Sequence, residues 1–420
     1  MKKKIILVLL TVLAVTVLFS GALSAVPQIH GVGDSHGGFT EWNTANSLPA
    51  SSKQYYLSTD VTLSDNWVID SKTIILCLNG HVVNLNGKHI EIKNGGNLMI
   101  CDCNATTKHY FNKDASGLWT LASDQTVPTD YVVIGGVVTG GIATNGGAVS
   151  VSTSGLFAMA GGTLAGNKAT NGGGIHIVTG TLTMTGGVIT GNTASNGGGV
   201  HVQGECTASF TGGVITGNTA TQNGGGVYNK RLGTKVGGTV RITGNLAGAA
   251  GSRKENNLFI SYGCNLSLAS PKLGMCVGIN MPSPGIFVEP PSNPSSYIRY
   301  FRSDSDAYIV DSYFTSLKLV TPGSIVVRVS PTDYGVIYTD KQSYSSGNPF
   351  TLTLVPDAGC YLKEGTFVVT KDGTPVATPV PTKDSSGHLI YKYTGMADGT
   401  YTVSAVFGQH THDGEEGTYT

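Results

Sequence analysis

Between Gly135 and Asn245, apolar and polar residues alternate in short runs that are separated by glycine pairs. The runs IHIV, TLTM and VIT place an apolar residue at every second position, with threonine or histidine between. A period of two is typical of half-buried β-strands, whose successive side chains point to opposite faces. The pattern therefore predicts a series of short strands that bend at glycines.

The glycine pairs also give the length of the repeat. Successive pairs begin 26, 25, 26 and 25 residues apart, at Gly135, Gly161, Gly186, Gly212 and Gly237. A fixed period of this size indicates stacked coils, and leucine is too scarce here for a leucine-rich repeat. We predict an all-β fold in which three strands per coil form a parallel β-helix of about 25 residues per coil. The helix is expected to be right-handed, because crossovers between parallel strands almost always are.

One polar column follows the GN corner of successive coils and consists of Asn167, Asn192 and Asn218. Stacked amides both donate and accept hydrogen bonds, so they satisfy backbone groups coil after coil. We therefore predict that these three asparagines form a structural ladder.

A second column lies two or three residues after the later glycine cluster of each coil and consists of Ser150, His176, His201 and Tyr228. At about 4.8 Å between coils, these side chains are expected to form an outward ribbon. Such a ribbon contacts sugar rings or takes a borderline metal. The alternative is a solvated strand surface that binds nothing.

Charged residues make up 12% of the chain and the formal net charge is zero. This composition argues against binding of nucleic acid or of an anionic membrane surface. From Tyr131 to Asn229 the charged residues are Lys168 and Glu205 alone. Hydrolysis of a glycosidic bond usually needs two carboxyl groups, so we predict no catalytic residues in the regular coils and no cofactor. An enzyme would have to use the looser coils, with the acidic residues Asp70, Glu91, Asp102 and Asp114.

The chain has seven cysteines, an odd number that leaves at least one unpaired. Cys77 and Cys101 lie one coil apart, where they are expected to stack as buried thiols or to form a disulfide. Cys101-Asp102-Cys103 is a C-x-C motif, which lacks the paired spacing of a zinc site. We therefore predict no metal ligands.

The ends of the chain differ from the array. Three lysines, an apolar run and small residues predict an export signal peptide at 1–25 and no further membrane insertion. The strands IVVRV, FTLTLVP, TFVVT and YTVSAVF with their turn residues predict a β-sandwich. The predicted divisions are a signal peptide at 1–25, a cap at 26–60, the β-helix at 61–290 with a loop near 104–130, a closing segment at 291–322, the sandwich at 323–408 and a disordered tail at 409–420.

The motifs GG-x-[IL]-x-GN-x-A and GGG-[IV]-x-[IV] resemble the repeats of secreted bacterial adhesin-like proteins with a pectin-lyase-like β-helix. They are also similar to those of chlamydial polymorphic outer-membrane proteins. The opening segment, with LCLNGHVV and LMICDC, resembles the first coils of surface proteins from gut Firmicutes. GNPFTLTLVPDAGCYLKEGTFVV resembles a bacterial Ig-like or internalin-type B repeat, although Cys360 separates Gly359 from Tyr361. The resemblance implies adhesion or display and carries over no catalytic residue.

We accordingly expect a secreted or surface-associated, non-enzymatic protein that binds glycans or components of host or bacterial surfaces. One alternative is a carbohydrate-active enzyme, a polysaccharide lyase or glycoside hydrolase with its site in the early coils or the 104–130 loop. The other is a structural spacer in a surface layer, which would self-assemble without a ligand.

Overall fold

A computed structural model describes residues 33, 35–43, 48–104, 106–289, 294–330, 332 and 334–409. The signal peptide predicted at 1–25, and the predicted tail from residue 410 onward, lie outside these ranges. Within them, no helix has the length and apolar character needed to cross a membrane. The fold is all-β, a parallel β-helix followed by a β-sandwich, with one 3-10 helix at Pro294–Tyr300.

Sheet I runs the whole length of the β-helix. Its parallel strands are Thr40–Trp42, Lys53–Leu57, Thr73–Cys77, Asn97–Cys101, Gly155–Met159, Gly180–Met184, Cys206–Phe210, Thr234–Gly238, Leu266–Pro271 and Ile286–Val288. Two antiparallel strands, Ser316–Val320 and Ile309–Tyr313, close its far end. Parallel stacking begins at Thr40, which pairs with Tyr55. The helix therefore starts inside the segment 26–60 that was expected to be an irregular cap.

Sheets II and III form the other two long faces. The strands of sheet II are Val61–Thr62, Val82–Asn84, Val137–Thr139, Thr163–Ala165, Val188–Thr190, Val214–Thr216 and Arg241–Ile242. The strands of sheet III are Trp67–Asp70, Ile90–Lys93, Val149–Val151, Ile175–Ile177, Val200–Val202, Val227–Asn229 and Leu258–Ile260. Sheets II and III merge at the strand Cys276–Asn280. This strand pairs with Arg241–Ile242 of sheet II, with Leu258–Ile260 of sheet III and with Phe301–Ser303.

A fourth, shorter sheet lies between sheets II and III, and we call it the ridge. Its strands are Ile142–Asn145, Lys168–Asn171, Thr193–Asn196, Thr219–Asn223, Leu246–Ala247 and Lys254–Glu255, of which the last is antiparallel. The expected three strands per coil is therefore wrong for the regular coils, which have four. The ridge segments lack a clear apolar alternation, because their residues are mainly threonine, alanine and asparagine, and the sequence pattern treats them as corners.

Inward-facing apolar side chains of sheets I, II and III fill the helix. One continuous buried cluster extends from Trp42 in the first strand to Leu319 in the closing strands. In sheet III, Ile175 and Ile177 are fully buried on either side of His176. The alternation of the sequence thus separates the interior of the helix from its outer face.

The segment predicted as a loop near 104–130 is an ordered antiparallel sheet of three strands, Lys108–Lys113, Trp119–Leu121 and Tyr131–Ile134. It packs on the outside of sheet II and buries Phe111 completely. The Trp119 backbone N–H donates to the carbonyl of Gly191, 3.2 Å away. A Cβ on Gly191 would lie 2.2 Å from the Trp119 ring, so glycine is required where the insert crosses this corner.

The sandwich consists of two main sheets and a small third one. The first contains Ile325–Val329, Ser343–Tyr344, Gly399–Ser404, Val368–Lys371 and Thr374–Pro375. The second contains Gly335–Thr339, Phe350–Pro356, Leu389–Tyr393 and Thr382–Lys383, and Cys360–Leu362 pairs with Phe407–Gln409. Arg241 of the helix forms an ion pair with Asp357 of the sandwich at 2.8 Å, and the Tyr338 hydroxyl donates to the Met275 carbonyl.

Candidate functional site

The structure places Asn167, Asn192 and Asn218 in one column with no solvent exposure. The Asn192 Oδ1 accepts hydrogen bonds from the backbone N–H and the Nδ2 of Asn167, at 3.0 and 2.9 Å. The Asn192 Nδ2 donates to the Asn218 Oδ1 and to the Leu164 carbonyl, both at 2.9 Å. Each amide therefore joins two coils and occupies backbone groups at the corner. We call this column the inner ladder.

The inner ladder continues beyond the three asparagines found from the repeat. Asn245 and Asn257 extend it, and successive members are 25, 26, 27 and finally 12 residues apart. Asp304 ends it by accepting hydrogen bonds from the Asn257 backbone and Nδ2. Burial raises the pKa of Asp304 to about 7, although the Asn257 donors act in the opposite direction.

The second column also exists as a column, since Ser150, His176, His201 and Tyr228 are partners in register. Phe259 extends it by one coil. The rings pack against one another at a tilt, with centroids 5.2 Å apart for the two histidines and 4.8 Å for His201 and Tyr228.

The expectation of an outward, exposed ribbon is wrong for the two imidazoles. His176 and His201 are each only 3% exposed. His201 is covered by the rings of His176 and Tyr228 on either side of it. The glycine turn after each ridge strand also folds back on the following strand of sheet III. At Gly172, for example, an added Cβ would lie 2.9 Å from the backbone nitrogen of His176. Ser150 and Tyr228 are half-buried.

Burial also changes the chemistry of the two imidazoles. It lowers the pKa of His176 to about 4 and that of His201 to about 3, and a proton on His201 would also be repelled by Lys230 and by a proton on His176. Within the described chain, the His176 Nε2 and both ring nitrogens of His201 have no hydrogen-bond partner. Both rings are therefore neutral at neutral pH and pack as aromatic groups, which removes them as direct sugar contacts.

The side chains that do reach solvent beside this column belong to the ridge. Asn145, Asn171, Asn196 and Asn223 are partners in register on successive ridge strands. The Asn171 Nδ2 donates to the Asn145 Oδ1 at 3.0 Å, and the Asn196 Nδ2 donates to the Gln222 Oε1 at 2.9 Å. We call these four asparagines the outer ladder. The sequence carries a signal for them, because each stands directly before the second glycine cluster of its coil.

An open groove of about 580 Å³ lies between the first ridge strand and sheet III. Thr144 and Asn145 line one wall, and Ser150, Ser152 and His176 line the other. The groove thus offers neutral hydroxyl and amide groups, which both donate and accept hydrogen bonds, beside apolar side chains such as Ile142 and Val178 and the basic Lys88.

Charged groups gather at the start of this groove. Glu91 lies beside Ser150 in register, and its carboxylate is 3.2 Å from both the His89 Nε2 and the Lys93 Nζ. Burial raises the pKa of Glu91, but the hydrogen bonds and charges of Lys93 and His89 outweigh it and hold the pKa below its usual value. Glu91 is therefore an ionised carboxylate at neutral pH.

The other acidic residues considered for catalysis hold local structure. Asp102 accepts hydrogen bonds from the backbone N–H groups of Gly80 and Gly136, at 2.8 and 2.7 Å. Asp114 accepts from the Ser116 hydroxyl in its own turn, and Asp70 accepts from the Asn94 side chain. Each carboxylate therefore stabilises a separate corner.

Cysteines of the early coils lie together on the outer face of sheet I. Cys77 and Cys101 are partners in register, and both are buried free thiols. Cys103 lies beside them, with its Sγ 3.4 Å from the Cys77 Sγ and 3.4 Å from the His36 Nε2. Burial and the neighbouring Cys77 raise the pKa of Cys103 to about 12, so its thiol is protonated. The sequence missed this cluster because His36 lies far from the C-x-C motif along the chain.

Comparisons with known proteins found no protein-family model, no characterised protein and no solved structure that matches this chain. Function therefore has to be argued from the chemistry of the groove, the ridge and the cysteine cluster.

Proposed function

We propose that the protein is a secreted or surface-associated, non-enzymatic adhesin-like protein that binds glycans, or glycan-bearing components of host or bacterial surfaces, along the outer ladder. The observation that carries this proposal is the row of exposed or half-exposed amides on the ridge, beside an open groove with hydroxyl groups. Amides and hydroxyls match the hydroxyl groups of sugars, which also donate and accept hydrogen bonds.

The spacing of the ridge supports a repetitive ligand. Neighbouring strands of a sheet lie about 4.8 Å apart, so the outer ladder repeats the same amide at each coil. Exposed threonines at Thr144, Thr170 and Thr221 lie beside the amides. A chain of similar sugar units meets similar partners along such a row, and several weak contacts add in one binding event.

The remaining parts of the chain fit an exported role. The predicted signal peptide at 1–25 would direct export. The repeats resemble those of pectin-lyase-like adhesins, and the sandwich resembles an Ig-like or internalin-type B repeat, which would act as a spacer or accessory binding module.

The proposal is tested by retention of residues 26–420 on immobilised plant, mucin and bacterial polysaccharides, with assay of new reducing or unsaturated ends. We expect retention without cleavage, and at least about tenfold weaker binding for the Asn145→Ala, Asn171→Ala double variant, a loss of about 1.4 kcal/mol. Thr183→Ala, on the outer face of sheet I, is the matched control and should bind normally. Absence of retention across the panel, or equal binding by the double variant, would contradict the proposal.

A carbohydrate-active enzyme is the second candidate, and the Glu91 cluster is the observation that favours it. An ionised carboxylate beside His89 and Lys93 at the start of a groove offers a base and a cation for chemistry on an acidic sugar. This candidate predicts release of unsaturated or reducing ends, lost in Glu91→Gln but kept in Asp114→Asn. A structural spacer predicts instead assembly at high protein concentration without any glycan, detected by light scattering.

A further inference from the structure

The cluster of His36, Cys77 and Cys103 has the composition and spacing of a metal site. Among the histidine, cysteine, aspartate and glutamate side chains that the structure describes, these three form the group whose ligand atoms lie close enough to share one metal ion, within 4.8 Å of one another. Two thiols and an imidazole are the ligands that Zn²⁺ prefers in proteins. The proposed function makes no use of them.

The distances fit tetrahedral coordination. With Zn–S bonds of about 2.3 Å and Zn–N bonds of about 2.05 Å, two sulfurs on one zinc lie about 3.8 Å apart, and a sulfur and a nitrogen about 3.6 Å apart. The observed Sγ–Sγ and Sγ–Nε2 separations are both 3.4 Å. Both lie within a few tenths of an ångström of the expected values, and the third pair of ligand atoms, on Cys77 and His36, lies within 4.8 Å.

Secondary structure and packing hold each ligand in place. Cys77 ends the sheet I strand Thr73–Cys77, and Cys103 follows the next strand of that sheet. His36 lies on the segment that crosses the outside of sheet I, where its ring stacks on Tyr56 with centroids 4.1 Å apart. The Gly33 N–H donates to the Cys103 carbonyl at 3.0 Å, so the same segment is fixed at a second point. The site is therefore built by the fold.

The neighbours of the cluster include an amide oxygen and a third thiol. The Asn79 Oδ1 lies 3.3 Å from the Cys103 Sγ, and its Nδ2 donates to the Leu57 carbonyl. The Cys101 thiol is directed instead at the Leu76 carbonyl, 3.6 Å away. Cys77 is fully buried, whereas His36 is only half-buried, so the imidazole side of the cluster is the side open to solvent.

We propose that His36, Cys77 and Cys103 bind one Zn²⁺ ion, which fastens the segment around His36 to the first coils of the β-helix. The two thiols lose their protons to solvent when the ion binds, and no electron transfer is involved. The ion would join that segment to the outer face of sheet I, beside the strands Thr73–Cys77 and Asn97–Cys101.

Cobalt titration of the reduced, metal-free protein tests the site directly. We expect one Co²⁺ per chain, with thiolate-to-cobalt charge-transfer absorption and the visible bands of tetrahedral cobalt, both removed by added Zn²⁺. Cys103→Ser should abolish the charge-transfer signal, and His36→Ala should weaken Co²⁺ binding at least about tenfold. Cys360→Ser, which changes a thiol in the sandwich, is the control and should bind as the unchanged protein does.

Circular dichroism of each variant establishes that it is folded, and His36→Ala, at a half-buried position, keeps the test valid if Cys103→Ser fails to fold. If all seven cysteines are present as free thiols and cobalt still gives no charge-transfer absorption, the proposal is overturned. So would the full signal in His36→Ala. A Cys77–Cys103 disulfide in metal-free protein isolated without reductant would also overturn it, because those sulfurs would then serve a covalent bond.

Discussion

Two rows of asparagines run along this β-helix, and the same residue type does different work in each. In the inner ladder, Asn192 has no solvent exposure, and its amide bonds to two neighbouring coils and to the backbone. In the outer ladder, Asn171 is half-exposed and makes one side-chain bond, to Asn145. Position on the coil, and not residue type, decides whether an amide joins buried coils or reaches solvent.

The energetic contrast follows from what replaces each amide. If an inner amide is removed, buried donors and acceptors of the adjacent coils lose their partners, and water does not reach them. If an outer amide is removed, solvent takes over its hydrogen bonds. The inner ladder therefore stabilises the stack, while the outer ladder is free to exchange solvent for a ligand.

The largest effect is expected for Asn192→Ala. It leaves the backbone N–H of Asn167 without its acceptor and removes the Asn192 amide from the Leu164 carbonyl, while the Asn167 Nδ2 keeps the carbonyls of Val138 and Ala165. At about 1–3 kcal/mol for each buried group that loses its partner, partly offset by relaxation, we expect a loss of about 2–4 kcal/mol in the free energy of unfolding. Urea denaturation followed by circular dichroism measures it, and a loss below about 1 kcal/mol would refute the assigned role.

A smaller effect is expected where the insert crosses the coils. Gly191 and Gly217 occupy the same position in successive coils, with φ of 61° and 64°, so alanine strains the backbone about equally at both. A Cβ at residue 191 would meet the Trp119 ring at 2.2 Å, while at residue 217 its nearest neighbour is the Thr190 hydroxyl at 3.0 Å. We expect Gly191→Ala to cost about 1–3 kcal/mol more than Gly217→Ala.

The same urea experiment measures the difference between the two glycine substitutions. In Gly191→Ala, adding Trp119→Ala removes the ring that the new Cβ meets, so most of the extra cost at residue 191 should disappear. Equal costs for the two glycines would show that the insert does not press on this corner.

The end of the inner ladder predicts a pH dependence. The pKa of Asp304 is raised to about 7 in the folded chain and is about 3.9 in the unfolded chain. Between pH 4 and pH 7, Asp304 is protonated in the folded chain and ionised in the unfolded chain. The contribution of this proton to the free energy of unfolding is therefore full below about pH 4 and is lost as the pH rises to about 7. Asp304→Asn keeps an acceptor for Asn257 and should remove that part of the slope in unfolding free energy between pH 4 and 7. An unchanged slope would contradict the assignment.

The fold was predictable where the sequence repeats. Glycine pairs and alternating apolar residues such as Ile175 and Ile177 specify stacked strands, because only one strand face enters the core. The fourth strand of each coil was missed because ridge residues such as Ala169 and Asn171 show no such alternation. The alternation of the sequence predicts the correct, outer face for His176 but not its burial. That burial depends on the neighbouring coils and on the ridge. The contact partners of His176 lie a whole coil away along the chain.

The candidate sites were less predictable for the same reason. Asn145 and its partners are visible in the sequence only as residues before a glycine cluster, and nothing local distinguishes an exposed amide from a buried one. The approach of His36 to Cys103 joins residues 67 positions apart, through a segment that has no repeat. Contacts of this kind come from packing, which a repeat period does not encode.

The most direct measurement is unfolding free energy and polysaccharide retention, determined side by side for Asn192→Ala and for the Asn145→Ala, Asn171→Ala double variant. The outer variant should lose less than about 0.5 kcal/mol at each position, as surface substitutions usually do, while its glycan binding falls. The inner variant should lose several times more stability. Similar stability losses for both, or glycan binding unaffected by the outer variant, would contradict the division between a structural inner ladder and a binding outer ladder.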